Sequence, residues 1–165
     1  MIIVLWIAGA LVSIYVISWI LNYISYSFLK DRIVSRQKWD LNVCCGETDG
    51  GGVNVDIVAH AHVPNMVIAD VYHLPFKPGA FQSVLSSHTA EHLEHPKAFY
   101  SELKRVGKDV TILIPPLWDI SAVVNLLEHR WIFLGLRTEY RFLPKHIKLP
   151  FSATVHKLIG QKIAA

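Results

Sequence analysis

Three groups of residues in this sequence are of the right type and spacing to do chemistry. Gly46 follows a short apolar run at 41–45, and Asp56 falls at the end of a second run at 53–57, with the glycine-rich turn 46–52 between them. His88, Glu91 and His92 form an H-x-x-E-H pattern directly after another apolar run at 80–86. Cys44 and Cys45, the only cysteines, are adjacent. Short β-rich apolar runs bounded by glycine and acids read as buried parallel strands. Ligands of such sheets sit outside the carboxyl ends of the strands, so Gly46 and Asp56 are expected to face one crevice. An acid at that position commonly grips the two hydroxyls of a ribose.

The turn narrows the choice of nucleoside. A dinucleotide site needs G-x-G-x-x-G opening a helix whose N-terminus holds the pyrophosphate. Here Gly46 is followed by Glu47, Thr48, Asp49 and three glycines, and the next strand begins at once. Two acids stand where phosphate charge would lie, and no Walker lysine follows. A nucleoside without phosphates suits the turn better, and S-adenosylmethionine, whose sulfonium is a cation, is the natural candidate.

The other groups are less specific. H-x-x-E-H is literally the inverted zinc-peptidase pattern, with Glu91 as its general base. That chemistry needs a long helix and a third ligand from another helix, for which Glu102, Glu128 and Glu139 are only guesses. The segment instead lies between an apolar strand and Pro96, so no metal is expected. His95 reads as solvated. No G-x-S-x-G elbow occurs. No basic neighbour is evident to lower the pKa of Cys45, which reads as a buried strand cysteine. Adjacent cysteines cannot staple a fold by pairing with each other, and they fit a reducing compartment.

Positioning these residues requires a sheet. Further strands are expected at 66–69, ending at Asp70, and at 110–114, stopped by Pro115 and Pro116. Pro96 opens a helix in which Phe99, Tyr100, Leu103 and Val106 recur at helical spacing, with Gly107 expected to terminate it. The segment 57–65 reads as a loop. Beyond Pro116 the pattern weakens, with 120–127 a helix, 131–134 a strand or helix start, and no firm element around Pro144 and Pro150. The expected fold class is α/β, a Rossmann-like, mostly parallel sheet with helices on both faces, preceded by one N-terminal transmembrane helix.

That helix is read from the first 29 residues, which carry no charged side chain. A spanning helix needs about 20 apolar residues, and the basic start and small-residue cleavage site of a signal peptide are missing. Lys30, Arg32, Arg36 and Lys38 follow, so the positive-inside rule places the remainder in the cytoplasm as a single-pass membrane protein. Trp19, Tyr23 and Tyr26 form a partial aromatic belt. The expected organisation is a transmembrane helix at 1–29, a basic connector at 30–39 and one domain at 40–165. The chain is 52% hydrophobic with a formal charge of +3. Roughly 130 residues past the helix suffice for one core. The basic residues form no stripe with interleaved aromatics, so no nucleic-acid partner is expected.

The run 41–116, a little under half the chain, resembles the small class I S-adenosylmethionine-dependent methyltransferases of the type 11 group. The pieces are LNVCCG, VNVDI, ADVYHLPF, FQSVLSSHTAEHLEHP and FYSELKRVGKDVTILIPP, in the family's order. The resemblance implies a cofactor site of Cys45, Gly46, Asp56, Ile57, Asp70, Val71 and His88. In it Gly46 lets backbone approach the cofactor, Asp56 accepts from the ribose, and Asp70 accepts from the adenine amino group with Val71 beside it. Leu74 and Phe76 pack near the adenine or beneath its loop. His88 opens toward the transferred methyl group, and His88 and His92 are the candidate bases. The chain departs from the family at Cys44, which stands at the usual first glycine, at Gln82, which replaces an aspartate, around Gly107, and in lacking the first crossover helix. The implied function is a membrane-tethered methyltransferase acting on a small-molecule, lipid-linked or protein acceptor. The alternative is a catalytically degenerate methyltransferase-like scaffold or regulatory subunit.

Overall fold

The computed structural model describes residues 2–123, 125, 127–150 and 152–158. The chain begins with a long helical rod. It comprises α1 (Ile2–Asn22), a π-helical segment (Tyr23–Leu29) and α2 (Lys30–Val34). No residue of α1 is buried, and the run Ile2–Val34 is long and apolar enough to cross a membrane. Helix therefore continues five residues past the expected end at 29, into the basic stretch.

The strands follow as β1 (Leu41–Val43), β2 (Val53–Asp56), β3 (Met66–Ile68), β4 (Phe81–Ser87) and β5 (Gly107–Leu113), with α3 (Pro96–Val106) between the last two. After them come α4 (Ile120–Val123), β6 (Trp131–Phe133), β7 (Glu139–Tyr140), β8 (His146–Lys148) and α5 (Ser152–Leu158). One sheet has the order β3-β2-β1-β4-β5-β7, with β7 antiparallel to β5 and the other pairings parallel. Strands β6 and β8 form a separate antiparallel ribbon. The fold is Rossmann-like and mostly parallel, and the strand order reverses between β1 and β4, its topological switch point.

All five predicted strands form close to their expected bounds, and 131–134 resolves to a strand. The expected helix 120–127 is short, and residues 124 and 126 lie outside the described residues. Strands β7 and β8 and helix α5 were not foreseen, because two- and three-residue strands are too short to show a period. Gly107 terminates α3 as expected, with an extended backbone at φ of −121°, and it begins β5 directly. A side chain there would collide with Val84 of β4, so the glycine serves helix-to-sheet packing.

Buried parallel strands need cover on both faces. On one face, Phe99, Leu103 and Val106 of α3 pack on Leu41, Val43, Val55, Val84, Val110 and Ile112. Each large apolar side chain there contributes about 2 kcal/mol of burial free energy. Among the described residues the opposite face has no long helix. Ile33, Val34 and buried Trp39 cover Leu85 and Leu113, with the Trp39 indole N–H donating to the Val34 carbonyl at 2.9 Å.

Over β1 and β2 that face carries buried asparagines, and the turn 46–52 lies on it in place of a crossover helix. Asn42 donates to the Thr48 carbonyl at 2.9 Å. Asn54 accepts from the Gly50 amide at 3.0 Å and donates to Asp49 and to the Pro64 carbonyl, each at 2.9 Å. A side chain at Gly50 would meet the Asn42 Cβ at 2.6 Å, which accounts for a glycine at that point. A loop brings unpaired backbone amides and carbonyls where a helix would bring methyl groups, so its seat must hydrogen-bond. Asn54→Ala is therefore expected to cost about 1–3 kcal/mol by leaving buried backbone groups unpaired. Urea unfolding measures this, together with amide exchange at Gly50. A midpoint unchanged from that of the unsubstituted protein would refute this account of the loop.

Candidate functional site

The residues singled out in the sequence gather at the carboxyl edge of the sheet. Cys44, just past β1, and His88, just past β4, both have left-handed backbones, with φ of 55° and 51°. β1 and β4 are neighbours in parallel register, so this strain sits at the switch point. Non-glycine residues in this region cost of order 1–3 kcal/mol each and concentrate at functional sites. The left-handed turn explains the glycine that the resembled family carries at Cys44. Here a cysteine takes that geometry, and burial, followed by the nearby Asp56 charge, raises its thiol pKa far above the usual value.

Gly46 is left-handed as well, with φ of 52°, and a side chain added to it would meet nothing within 4 Å. Conformation demands the glycine, and the space beside it is open. Asp56 ends β2 and ties the two strand ends together. Its Oδ2 accepts from the Gly46 amide at 2.9 Å and its Oδ1 from the Ile57 amide at 2.7 Å. His60 Nε2 approaches Oδ2 at 3.6 Å. The Val58 amide shares Oδ1 with Ile57 at 3.5 Å, so of two acceptor positions on each oxygen the one left is on Oδ2, open to a single ribose hydroxyl. Cys45 is buried beside them, its Sγ 3.7 Å from Met66 Sδ. Burial first, then Asp56, pushes its thiol up to about 11, which makes it a poor nucleophile at neutral pH.

Asp70 lies just beyond β3, whose Ile68 pairs with Asp56, so both acids stand at one edge. Its Oδ1 accepts from the Tyr72 amide at 2.9 Å, and its Oδ2 lies 3.0 Å from His73 Nδ1. These two contacts, the histidine first, hold its carboxyl below the usual range. Val71 and Leu74 point into the core, and Phe76 packs edge-on against Phe81 at 4.9 Å. A side-chain brace from α3 holds this loop. Arg105 donates to both Glu102 oxygens at 2.7 Å and to the carbonyls of Phe76 and Leu74, while Glu102 accepts from the Leu74 amide. Gln82, one of the departures noted above, sits exposed at the start of β4, away from the carboxyl edge.

On the β4 side the N-terminal rod reaches over the edge. Tyr26 packs edge-on against His88, with ring centroids 4.9 Å apart. Asp119 is fully buried, and its Oδ2 accepts from Ser25 Oγ at 2.5 Å and from Asn22 Nδ2 at 3.2 Å. Its other oxygen accepts from Ser121 Oγ and the Ala122 amide at the start of α4. His88 Nδ1 lies 3.0 Å from Ser87 Oγ. Its Nε2 is buried with no hydrogen-bond partner among the described residues. Burial, aided by Lys30, pushes its pKa down to about 3, so the ring is neutral at pH 7.

The H-x-x-E-H segment is a turn and not a helix, so His88 and His92 do not share a helical face. His92 is at the rim and Glu91 beneath it, where burial raises the Glu91 carboxyl to about 8.

The site lies along the carboxyl edge of the sheet. Two cavities of about 480 and 760 Å³ lie elsewhere. The first is between α2 and the turn at Asp49 and Gly50. The second is between Leu29, Ile33 and the segment 136–142. Neither is lined by Gly46, Asp56 or Asp70. The fit to a phosphate-free nucleoside therefore rests on the donor and acceptor set, an acid with spare acceptor capacity beside an open glycine.

The sheet order and its switch point define a Rossmann-like fold. Residues 48–114 match the family model described as a methyltransferase domain. The match begins two positions after Gly46. A candidate methyltransferase from Bacillus halodurans C-125 is similar in structure at 21% identity and a TM-score of 0.38, over 50% of this chain and 47% of that one. A candidate methyltransferase of an antibiotic biosynthesis pathway from Anabaena variabilis ATCC 29413 gives 17% identity and a TM-score of 0.39, over 50% and 44%. This chain spans less than half the length of either. No curated protein matches it.

Several residues at or around the site escaped the sequence reading. Arg105 was visible only as part of a helix and Glu102 only as a guessed metal ligand, and their i, i+3 spacing is the signal that could have marked the pair. Ser25 and His129 have no local signal, because each acts on a partner far away in the chain, and Asp119 shows locally only as the cap of α4. The burial of His88 makes a testable prediction. The unfolded histidine binds a proton near its ordinary pKa while the folded one does not until about pH 3, so stability is complete above about pH 6.5 and falls as pH drops below it. The limiting slope is about 1.4 kcal/mol per pH unit. His88→Gln is expected to flatten the loss between pH 7 and 5.5 in chemical denaturation. Parallel curves for the two proteins would show that the ring is protonated in the native state.

Proposed function

We propose that this protein is an S-adenosylmethionine-dependent methyltransferase held to a membrane by its N-terminal helix. The observation that carries this reading is the Asp56 carboxylate bridging to the Gly46 amide at the carboxyl edge, with Asp70 on the next strand. This is a ribose-gripping acid, an open glycine and a second acceptor on three adjacent strand ends. Asp56 would hold a ribose hydroxyl, Gly46 would let the backbone approach, and Asp70, exchanging its contact with His73, would accept from the adenine amino group. Cys45, Ile57 and Val71 would shape the floor, Val71 from within the core. The cofactor, when bound, supplies a methyl group on a sulfonium that leaves as a neutral thioether.

The chain's part in such a reaction is alignment of the acceptor, which is proximity catalysis. His88, neutral and strained into the edge, is suited to positioning. His92 at the rim is the better placed of the two to take a proton from an acceptor that must lose one. The membrane tether favours a lipid-linked or quinone-like acceptor over a small soluble molecule or a protein, and the basic residues after the helix favour a cytoplasmic domain.

Calorimetric titration of the full chain in detergent with S-adenosylmethionine tests the reading. Saturable binding is expected, weakened about 10–100-fold in Asp56→Ala through loss of charge-assisted hydrogen bonds. The second reading, a degenerate scaffold or regulatory subunit, is favoured by the occupied Asp70 carboxylate. No heat of binding would select it. Orientation is tested separately by membrane-impermeant thiol labelling of a cysteine introduced at exposed His62, in Cys44→Ala/Cys45→Ala protein in intact cells. Protection until the membrane is permeabilised is expected, and labelling of intact cells would reverse the topology.

A further inference from the structure

We propose that Glu91, His92 and His129 form a binding site for one divalent transition-metal ion of the zinc type, at the margin of the carboxyl edge. One ligand atom from each of these residues lies within 4.8 Å of the other two. The Glu91 side chain is almost fully enclosed, and neither of its oxygens has a hydrogen-bond partner among the described residues. Leaving both oxygens of a buried carboxyl group without a hydrogen-bond partner is expensive, and a cation that takes the place of its proton is a partner that offsets that cost.

His92 is prepared for the role by its tautomer. Its Nδ1 lies 2.9 Å from the Glu128 carbonyl oxygen, which can only accept, so Nδ1 carries the proton. The Nε2 lone pair then faces Glu91, with Nε2 3.9 Å from Oε1. A ring nitrogen held by a backbone carbonyl while the other meets the metal is the usual outer-shell arrangement of a ligating histidine. His129 is buried and its ring lies edge-on to that of His92, with centroids 4.8 Å apart.

The backbone braces the group from both sides. The amides of Arg130 and Trp131 donate to the Glu91 carbonyl at 2.7 and 3.2 Å, which ties the third ligand's loop to the first two. The His92 amide donates to the Thr89 carbonyl at 3.0 Å, closing the turn. Metal–ligand bonds of about 2.0–2.2 Å would draw the donors together by roughly 1 Å, within reach of side-chain rotation. Two imidazoles and one carboxylate leave a fourth position for water or an acceptor heteroatom, and imidazole donors select zinc and its neighbours over magnesium or calcium. The site stands whether or not the chain transfers methyl groups, but with metal bound His92 has no free ring nitrogen and no longer serves as a base.

The test uses the full chain in detergent, stripped with chelator, titrated with zinc by calorimetry and assayed for retained metal after desalting. Cobalt is the spectroscopic probe. Saturable one-to-one zinc binding and the intense visible bands of four-coordinate cobalt are expected. His129→Ala and Glu91→Gln should each weaken binding at least about 10-fold, with His62→Ala as the unaffected control. His92→Ala, at the rim, guards against loss of the fold in the buried variants, which circular dichroism monitors. Absence of saturable zinc binding would overturn the site, as would binding undiminished in His92→Ala and His129→Ala. Cofactor titration is a separate measurement, so failure of the metal site and failure of the methyltransferase reading are distinguishable.

Discussion

A parallel sheet cannot leave either face in water, and this chain meets that requirement with very little material. One face has α3, a conventional amphipathic helix. The other is closed by Ile33, Val34 and Trp39 and by a glycine-rich loop seated on Asn42 and Asn54. The choice of asparagine over valine at those two positions follows from the cover. A helix presents methyl groups, whereas a loop presents amides and carbonyls that must be paired. The missing first crossover helix is thus compensated within the strands themselves, and the carboxyl edge is kept in place without it.

The edge concentrates what the fold strains to hold. Cys44 and His88 occupy left-handed backbones just past adjacent strands, while Asp56 spends three of its acceptor positions on backbone amides. Rigid strand ends and an acid pinned by main-chain donors are the features that pre-organise a ligand site. The Arg105–Glu102 brace does the same for the loop beyond β3. It explains why these two residues stand together on α3, although their side chains never reach the crevice.

The N-terminal rod is more than an appendage to this arrangement. Asp119, buried under Asn22 and Ser25, joins the π-helical segment to the start of α4, and Tyr26 lies on His88. A π segment rotates the side chains out of the register of the preceding α-helix, and such segments often mark functional positions. The orientation of α1 is passed to the carboxyl edge through a short, hydrogen-bonded joint.

The strands, α3 and the long apolar helix were legible in the sequence, because period, proline and glycine placement and uninterrupted hydrophobicity are local quantities. So were Gly46 and Asp56 as partners across one turn, since parallel strands leave no other place for them. Tertiary structure alone decided that Gly107 is a packing glycine, that Cys44 is left-handed, and that Gln82 sits at the far end of β4. It also decided that H-x-x-E-H is a turn whose glutamate and second histidine meet His129. Each of these depends on contacts between residues distant in the chain, which no local period encodes.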